Sequence, residues 1–316
     1  MSTQLLDTAL AAAERGWHVF PLRAGTKQPA LHGYDRCPRT GACAERHAGW
    51  EQRATTNPDR IRAAWGNGGG FNVGIACGRS GLVVIDLDVP KPDDGPAPGW
   101  VTAEPGVRDG QDVLAVLAEQ TGAELPADTY TAATASGGLH LYYREPGGVQ
   151  LRNTEGDRGR GLGWKIDTRA HGGYIVAAGS VIGHRAYRVL DDSEPAPLPG
   201  WLVARLTPAP LPTIPAAPIT PARGGRSRYL DAAIHGETAK VLDAPPSQRN
   251  ACLYAAALAL GQLVAGGALT DAEVTDALLG AAGKHIAVGA YSERQAGQTI
   301  ASGIRAGANR PRQVAA

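Results

Sequence analysis

The sequence predicts an α+β domain followed by a small all-α domain, and three observations carry that reading. Up to about Arg205, short apolar runs of strand type are interspersed with helical segments and joined by brief turns. That mixture suits antiparallel sheets with packed helices better than a doubly wound parallel sheet. Residues 206–222 are crowded with Pro and Ala and carry no charge, a semi-rigid linker composition. Beyond them, apolar residues recur at helical spacing almost to the end. The expected organisation is a domain over 1–205, a linker over 206–222 and a helical domain over 223–316.

Ser2 to Arg15 reads as an amphipathic helix, with Leu5, Leu6, Ala9, Leu10 and Ala13 on one side. It lacks the basic start and apolar core of a secretory signal. Trp17–Leu22 reads as a strand, and Pro58–Trp65 as a helix capped by Asn57 or Thr56. Asn72–Gly78 is a strand ending in a turn, and a second apolar run follows at once, which predicts a hairpin. Asp109–Gln120 is a helix whose apolar face holds Val113, Leu114, Val116 and Leu117. Tyr130–Ala135 and Leu139–Tyr143 are strands about a glycine turn. Trp164–Thr168 and Tyr174–Ala177 are expected to pair in the same way. In the last part, Leu253, Ala256, Leu260 and Leu263 mark a helix that stops at Gly266-Gly267. Thr270 and Glu273 form a capping box that opens a second helix, and a third runs from Ser292 to Gly307.

No apolar run approaches the length of a membrane span. Four cysteines in 316 residues do not suggest a disulfide framework, and the expected location is cytoplasmic. A net charge of +1 argues against a uniformly basic nucleic-acid binder. The charge is uneven, however. Residues 86–128 hold ten acids against two bases, whereas 144–188 hold eight bases against four acids. Residues 284–312 hold five bases and one acid. Basic stretches beside an acidic site suit a phosphate-bearing partner, although solvated surfaces show similar asymmetry.

The segment Gly81–Pro90 carries the first chemistry. Leu82–Ile85 read as a buried strand that ends in Asp86 and Asp88. Side chains alternate along a strand, so these two carboxylates share a face. Side by side they repel unless a cation lies between them, and hard ions such as Mg²⁺ or Mn²⁺ take such oxygens. The plainer reading is a strand end with two solvated acids. The second motif is Ser136-Gly137-Gly138-Leu139-His140. Its glycines permit a tight turn and close approach, its backbone N–H groups can cradle phosphate, and His140 can contact a phosphate oxygen. An ordinary hairpin with a strand histidine is the alternative. The third is Asp167, within an alternating strand, as a third metal ligand. Lys165 and Arg169 stand at period 2 from it on the same face, so a salt-bridged structural Asp is the rival reading.

These three motifs, in this order, resemble the archaeo-eukaryotic primase superfamily, most closely its bifunctional DNA primase/polymerase branch. The resemblance covers most of residues 1–190 and includes Gly25-Thr26-Lys27-Gln28-Pro29, Asn72-Val73-Gly74-Ile75 and Gly179-Ser180. It implies a catalytic core with an RRM-like antiparallel sheet. It implies Asp86, Asp88 and Asp167 as ligands of Mg²⁺ or Mn²⁺. It implies His140 at the triphosphate of the incoming nucleotide, with Ser136, Gly137 and Gly138 against the same phosphates. Lys165 and Arg169 would neutralise phosphate charge. The implied activity is template-directed nucleotidyl transfer from NTPs or dNTPs on a single-stranded DNA template. A non-catalytic nucleic-acid-binding replication protein of the same fold is the alternative, and a phosphodiester-cleaving metal enzyme a third. The helical domain resembles those that follow such cores in primases, though a bundle serving packing alone is an open alternative. No G-x-x-x-x-G-K-[ST] pattern occurs, so a separate helicase or initiator is expected as partner.

His32, Cys37, Cys43 and His47 form a fourth constellation, two Cys and two His within sixteen residues. That set can make a tetrahedral zinc site, with free thiols in a loop as the alternative. Cys77 and Cys252 are expected to be buried.

Overall fold

The chain divides into two units, Met1–Ala209 and Pro210–Ala316. The computed structural model describes residues 2–33, 36–66, 68–124, 128–158, 161–207, 225–245 and 248–314. Most of the expected linker, 208–222, therefore lies outside the described residues.

The first unit has eleven described strands: β1 (Val19–Leu22), β2 (Asn72–Ala76), β3 (Leu82–Leu87), β4 (Thr131–Ala133), β5 (Leu139–Arg144), β6 (Ile166–Arg169), β7 (Tyr174–Val176), β8 (Val181–Ile182), β9 (Arg185–Ala186), β10 (Arg188–Asp191) and β11 (Ala196–Pro197). Its helices are α1 (Ser2–Glu14), α2 (Trp50–Arg53), α3 (Pro58–Trp65), α4 (Gly99–Ala103), α5 (Gly110–Thr121) and α6 (Gly200–Leu206). The larger sheet has the order β10-β4-β5-β3-β6, with β11 added parallel to β5. A smaller sheet runs β1-β2-β7, and β8 pairs with β9. The predicted α+β class is correct.

Two pairings differ from the sequence reading. β2 and β3 form no hairpin, because β2 pairs with β1 and β7 while β3 pairs with β5 and β6. A 3-10 turn at Gly78–Ser80, ending on Gly81 at φ +62°, carries the chain from one sheet into the other. β6 and β7 likewise separate, at Gly172 with φ +78°. The two crossings touch, since the Cys77 N–H donates to the Gly173 carbonyl at 3.0 Å.

Local chemistry explains the helices that frame β3. Asn57 accepts from the N–H groups of Asp59 and Arg60, and Pro58 opens α3. Asp109 caps α5 in the same manner, and Gly122 closes it at φ +65°. The strand then sorts its side chains by alternation. Leu82 and Val84 pack in a core with Leu5 and Ala9 of α1 and Ile61 and Trp65 of α3. Val83, Ile85 and Leu87 pack against Val113, Leu114 and Leu117 of α5 and Leu202 of α6. Burying such side chains contributes roughly 1.5–3 kcal/mol each, so both faces of β3 are firmly held. Asp86 continues the stripe of Leu82 and Val84, where that first core ends.

The second unit contains α7 (Gly225–Leu242), α8 (Arg249–Ala265), α9 (Asp271–Ala287) and α10 (Glu293–Gly307). The expected capping box opens α9, with the Thr270 N–H donating to Glu273 at 2.7 Å. A methyl at Gly303 would lie 2.5 Å from Ala257, so that glycine permits the close approach of α10 to α8. Leu253, Leu260, Val274, Leu278 and Ile300 form the core of this unit. Cys77 is buried as expected, whereas Cys252 is half-buried.

Candidate active site and metal centre

β3 lies between β5 and β6, and its register decides what Asp86 faces. His140 is directly opposite on β5, and Asp167 directly opposite on β6. Residues paired across strands share a face. The sheet therefore makes one row, His140–Asp86–Asp167, from residues far apart in the sequence. His140 Nε2 lies 3.4 Å from Asp86 Oδ1. Arg169, two residues along β6, places Nη2 at 2.7 Å from Asp167 Oδ2 and Nε at 3.9 Å from Asp86 Oδ2. The Gly156 N–H donates to Asp167 Oδ1 at 3.1 Å.

Asp88 stands just past the strand end and is held by its backbone. Its N–H donates to the Lys165 carbonyl at 2.8 Å, and its carbonyl accepts from the Gly110 N–H at 3.0 Å. Burial raises the Asp88 carboxyl above its ordinary value, Asp86 and Asp167 push it further, and Lys91 and Lys27 oppose them. Asp167 is also raised, by burial first, with Arg169 and the Gly156 N–H opposing and Asp86 and Glu155 adding. Burial pushes Asp86 the same way, but His140, Arg169 and Lys27 outweigh it and hold Asp86 low. Two crowded acids disfavour ionisation beside a third that is ionised, an arrangement a divalent cation relieves. The three carboxylates offer oxygens of the kind a hard metal ion takes, although among the described residues they are not gathered as closely as the four Cys/His groups.

A cavity of about 260 Å³ opens at this row, lined among others by Asp86, His140, Arg169, Tyr174 and Tyr187. His140 is buried, and its Nδ1 lacks a partner among the described residues.

Two features of the expected phosphate site differ. The N–H groups of Gly137 and Gly138 donate to the carbonyl and hydroxyl of Thr134, at 3.1 and 3.0 Å, so they are not turned to a cradle. The glycines serve proximity instead, since a Cβ at Gly138 would stand 2.2 Å from the Leu87 carbonyl. Ser136 bonds the Thr134 hydroxyl at 3.1 Å. Lys165 does not share the face of Asp167. It adopts φ +59° just before β6, and its ammonium lies 2.9 Å from Asp94 and 2.6 Å from Asp157. Sequence reasoning missed Asp94, Asp157, Asn153, Tyr174 and Tyr187 as neighbours of the site. Loops bring in all of them but Tyr174, which opens β7 directly after the Gly172-Gly173 pair.

The Cys/His constellation does converge. The ligand atoms of His32, Cys37, Cys43 and His47 all lie within 4.8 Å of one another. Ligand atoms of a tetrahedral zinc site stand roughly 3.3–3.8 Å apart, given bonds of about 2.0–2.3 Å. Cys43 Sγ is 3.4 Å from His32 Nε2 and accepts from the Ala48 N–H at 3.4 Å. That N–H holds the Cys43 thiol below its ordinary range against the effect of burial, helped by Cys37, Arg53 and Arg39. A thiol biased toward thiolate is suited to a soft or borderline metal.

The larger sheet thus carries this carboxylate row, with a glycine turn against the end of its strand β3. Residues 9–201 match the family of bifunctional DNA primase/polymerase N-terminal domains, and the chain belongs to that family. Its members are generally nucleotidyltransferases that act with DNA and nucleotides and use divalent metals. No curated protein matches the chain. No helix among the described residues is long and apolar enough to cross a membrane. Nothing among the described residues supports the expected helicase partner.

Proposed function

We propose that the chain is a metal-dependent, template-directed nucleotidyltransferase that makes and extends primers on single-stranded DNA. The observation that carries this reading is the register of β3, which sets Asp86 between His140 and Asp167, with Asp86 and His140 both lining the cavity. Asp86, Asp88 and Asp167 would hold Mg²⁺ or Mn²⁺. When bound, such ions supply charge neutralisation at the attacking and leaving oxygens of an in-line displacement. The chain's own groups do the rest. His140, its Nε2–H donating to Asp86, keeps that carboxylate oriented and ionised. Arg169, already against Asp167 and near Asp86, adds positive charge where phosphate charge accumulates. Gly138 keeps the Ser136–His140 turn against the end of β3, so that Ser136 stays near the phosphates. Lys165 acts here as a positioning residue, through its carbonyl on Asp88, and not as a phosphate contact. His32, Cys37, Cys43 and His47 would hold a structural Zn²⁺, apart from the chemistry.

The test is incorporation of labelled NTPs or dNTPs on a single-stranded template, in Mg²⁺ and in Mn²⁺. Replacing Asp86 and Asp88 together with Ala should abolish it, a loss of at least ~10³-fold. Full activity in that variant would overturn the assignment. Template binding without incorporation by the natural chain would favour the non-catalytic alternative. Shortening of labelled template without added nucleotide would favour cleavage.

A further inference from the structure

The cavity beside Asp86 contains one cation that the chemistry above does not use, Lys27. It belongs to the loop that leaves β1. That loop is fixed by its own backbone, with the Arg23 N–H on the Gln28 carbonyl at 2.8 Å and the Thr26 N–H on the Arg23 carbonyl at 3.0 Å. Gly25 supplies the left-handed φ of +68° that the turn requires.

Two side chains from other elements clamp the same loop. Asn72, 2 % exposed, donates through Nδ2 to the Thr26 carbonyl at 3.1 Å. The Tyr174 hydroxyl donates to the Lys27 carbonyl itself at 3.0 Å, and Tyr174 also lines the cavity. The backbone of Lys27 is thus held in place while its flexible stem reaches the cavity.

The neighbouring cations are committed. Arg169 is bound by Asp167, and Lys165 by Asp94 and Asp157. Lys91 acts on Asp88 but does not line the cavity. Lys27 bears on Asp86 and Asp88 through space, yet makes no ion pair among the described residues. A lysine ammonium is a compact charge with three donors, well suited to phosphate oxygens. A cavity that holds Asp86, the central acid of the proposed metal set, and an uncommitted lysine beside it matches a ligand that brings both metal and phosphate.

We propose that Lys27 binds the phosphate chain of the incoming nucleoside triphosphate. The proposal rests on the nucleotidyltransferase reading, and its test is built to fail separately from it. In primer extension, Lys27→Ala should raise the nucleotide KM about tenfold or more, the cost of one charge-assisted bond, with kcat and the primer–template KM little changed. Lys27→Arg, which keeps the charge, should recover most of that loss. Inorganic tripolyphosphate should inhibit the natural chain and inhibit Lys27→Ala more weakly in the same proportion. Lys27 is exposed, so equal melting midpoints check that the variants are folded. An unchanged nucleotide KM, or a rise confined to the primer–template KM, overturns the proposal. If the natural chain incorporates no nucleotide, it is the broader reading that falls. Calorimetry with Mg²⁺–dGTP and Mg²⁺–GTP then still decides the point for Lys27, since weaker binding by Lys27→Ala supports it and equal binding refutes it.

Discussion

The acidic row and the Cys/His cluster gather ligands by opposite means. Asp86, His140 and Asp167 come from three strands, and the register of the larger sheet fixes them side by side. Their polar partners are built in, with Arg169 on Asp167 and His140 on Asp86. The four Cys/His ligands come instead from one short stretch of loop around the 3-10 turn Gly41–Cys43. The contacts within the set include Cys43 on His32 and the edge-on rings of His32 and His47, with the Ala48 N–H on Cys43. Strand pairing alone sets the acidic row. If the proposed Zn²⁺ binds the second set, it would offset the cost of ordering that loop, about 1–2 kcal/mol per residue.

The comparison breaks most severely where the sheet carries the acids. Gly138→Ala would drive a methyl into the Leu87 carbonyl, at 2.2 Å, and force the turn away from the end of β3. Backbone cannot yield there as a side-chain tip would. We expect nucleotide incorporation to fall about 100-fold, the usual effect of a displacement near 1 Å at a reacting centre. Zinc content, measured on the same protein, should be unchanged. Near-normal incorporation would show that the turn tolerates movement and that the row is less rigid than its register implies.

The loop site should respond in the reverse manner. Cys43→Ser, or prolonged treatment with a strong chelator, should remove one zinc per chain by elemental measurement. The melting midpoint should fall by about 5–10 °C, a loss of a few kcal/mol in a domain of this size. Incorporation at a temperature well below the midpoint should fall much less than in Gly138→Ala. A purified chain without zinc, together with a neutral Cys43→Ser, would leave the four residues as a hydrogen-bonded loop and end the parallel.

The two sites also differ in how far the sequence revealed them. The Cys/His set lies within sixteen residues, which made its convergence legible as one of two readings, although the C-x5-C-x3-H spacing is not the common zinc pattern. Asp86 could be placed at a strand end because Leu82–Ile85 is apolar and β-branched. The family resemblance rested on motif order, and the match over residues 9–201 bears it out. Pairing partners were harder. Both adjacent strand pairs read as hairpins, since neighbouring strands usually do pair, and the sheet crossing at Gly81 leaves only a glycine as its trace. Lys165 was misplaced because period 2 assumes an extended backbone, and φ +59° turns that side chain out of the series. Tyr187 and Asn153 reach the cavity by tertiary packing alone, which no local pattern encodes.

The smallest effect concerns that misplaced lysine, and it asks whether the acid site owes part of its order to an ion cluster as well as to strands. Lys165 ties Asp94 and Asp157 to the start of β6, and its carbonyl holds the Asp88 N–H. Lys165→Met keeps the backbone bond and removes the tie. The melting midpoint should drop by about 2–4 °C, modest because Asp157 is half exposed. The pH dependence identifies the cause. The bond from Lys165, with the Lys91 N–H, holds the Asp94 carboxyl below its ordinary 3.8, so the stability it contributes is present above that value. It is lost as pH falls through the lower folded value. Burial opposes charge on Lys165, but Asp157 and Asp94 outweigh it and raise the group above 10.5. That contribution is complete below 10.5 and disappears as pH rises through the folded value. The gap between the natural chain and Lys165→Met should therefore stay level from about pH 5 to 9 and close at both ends. A gap that is absent at pH 7 would mean that Asp88 is placed by backbone bonds alone. Strand register and the start of α5 would then suffice to order the acidic site.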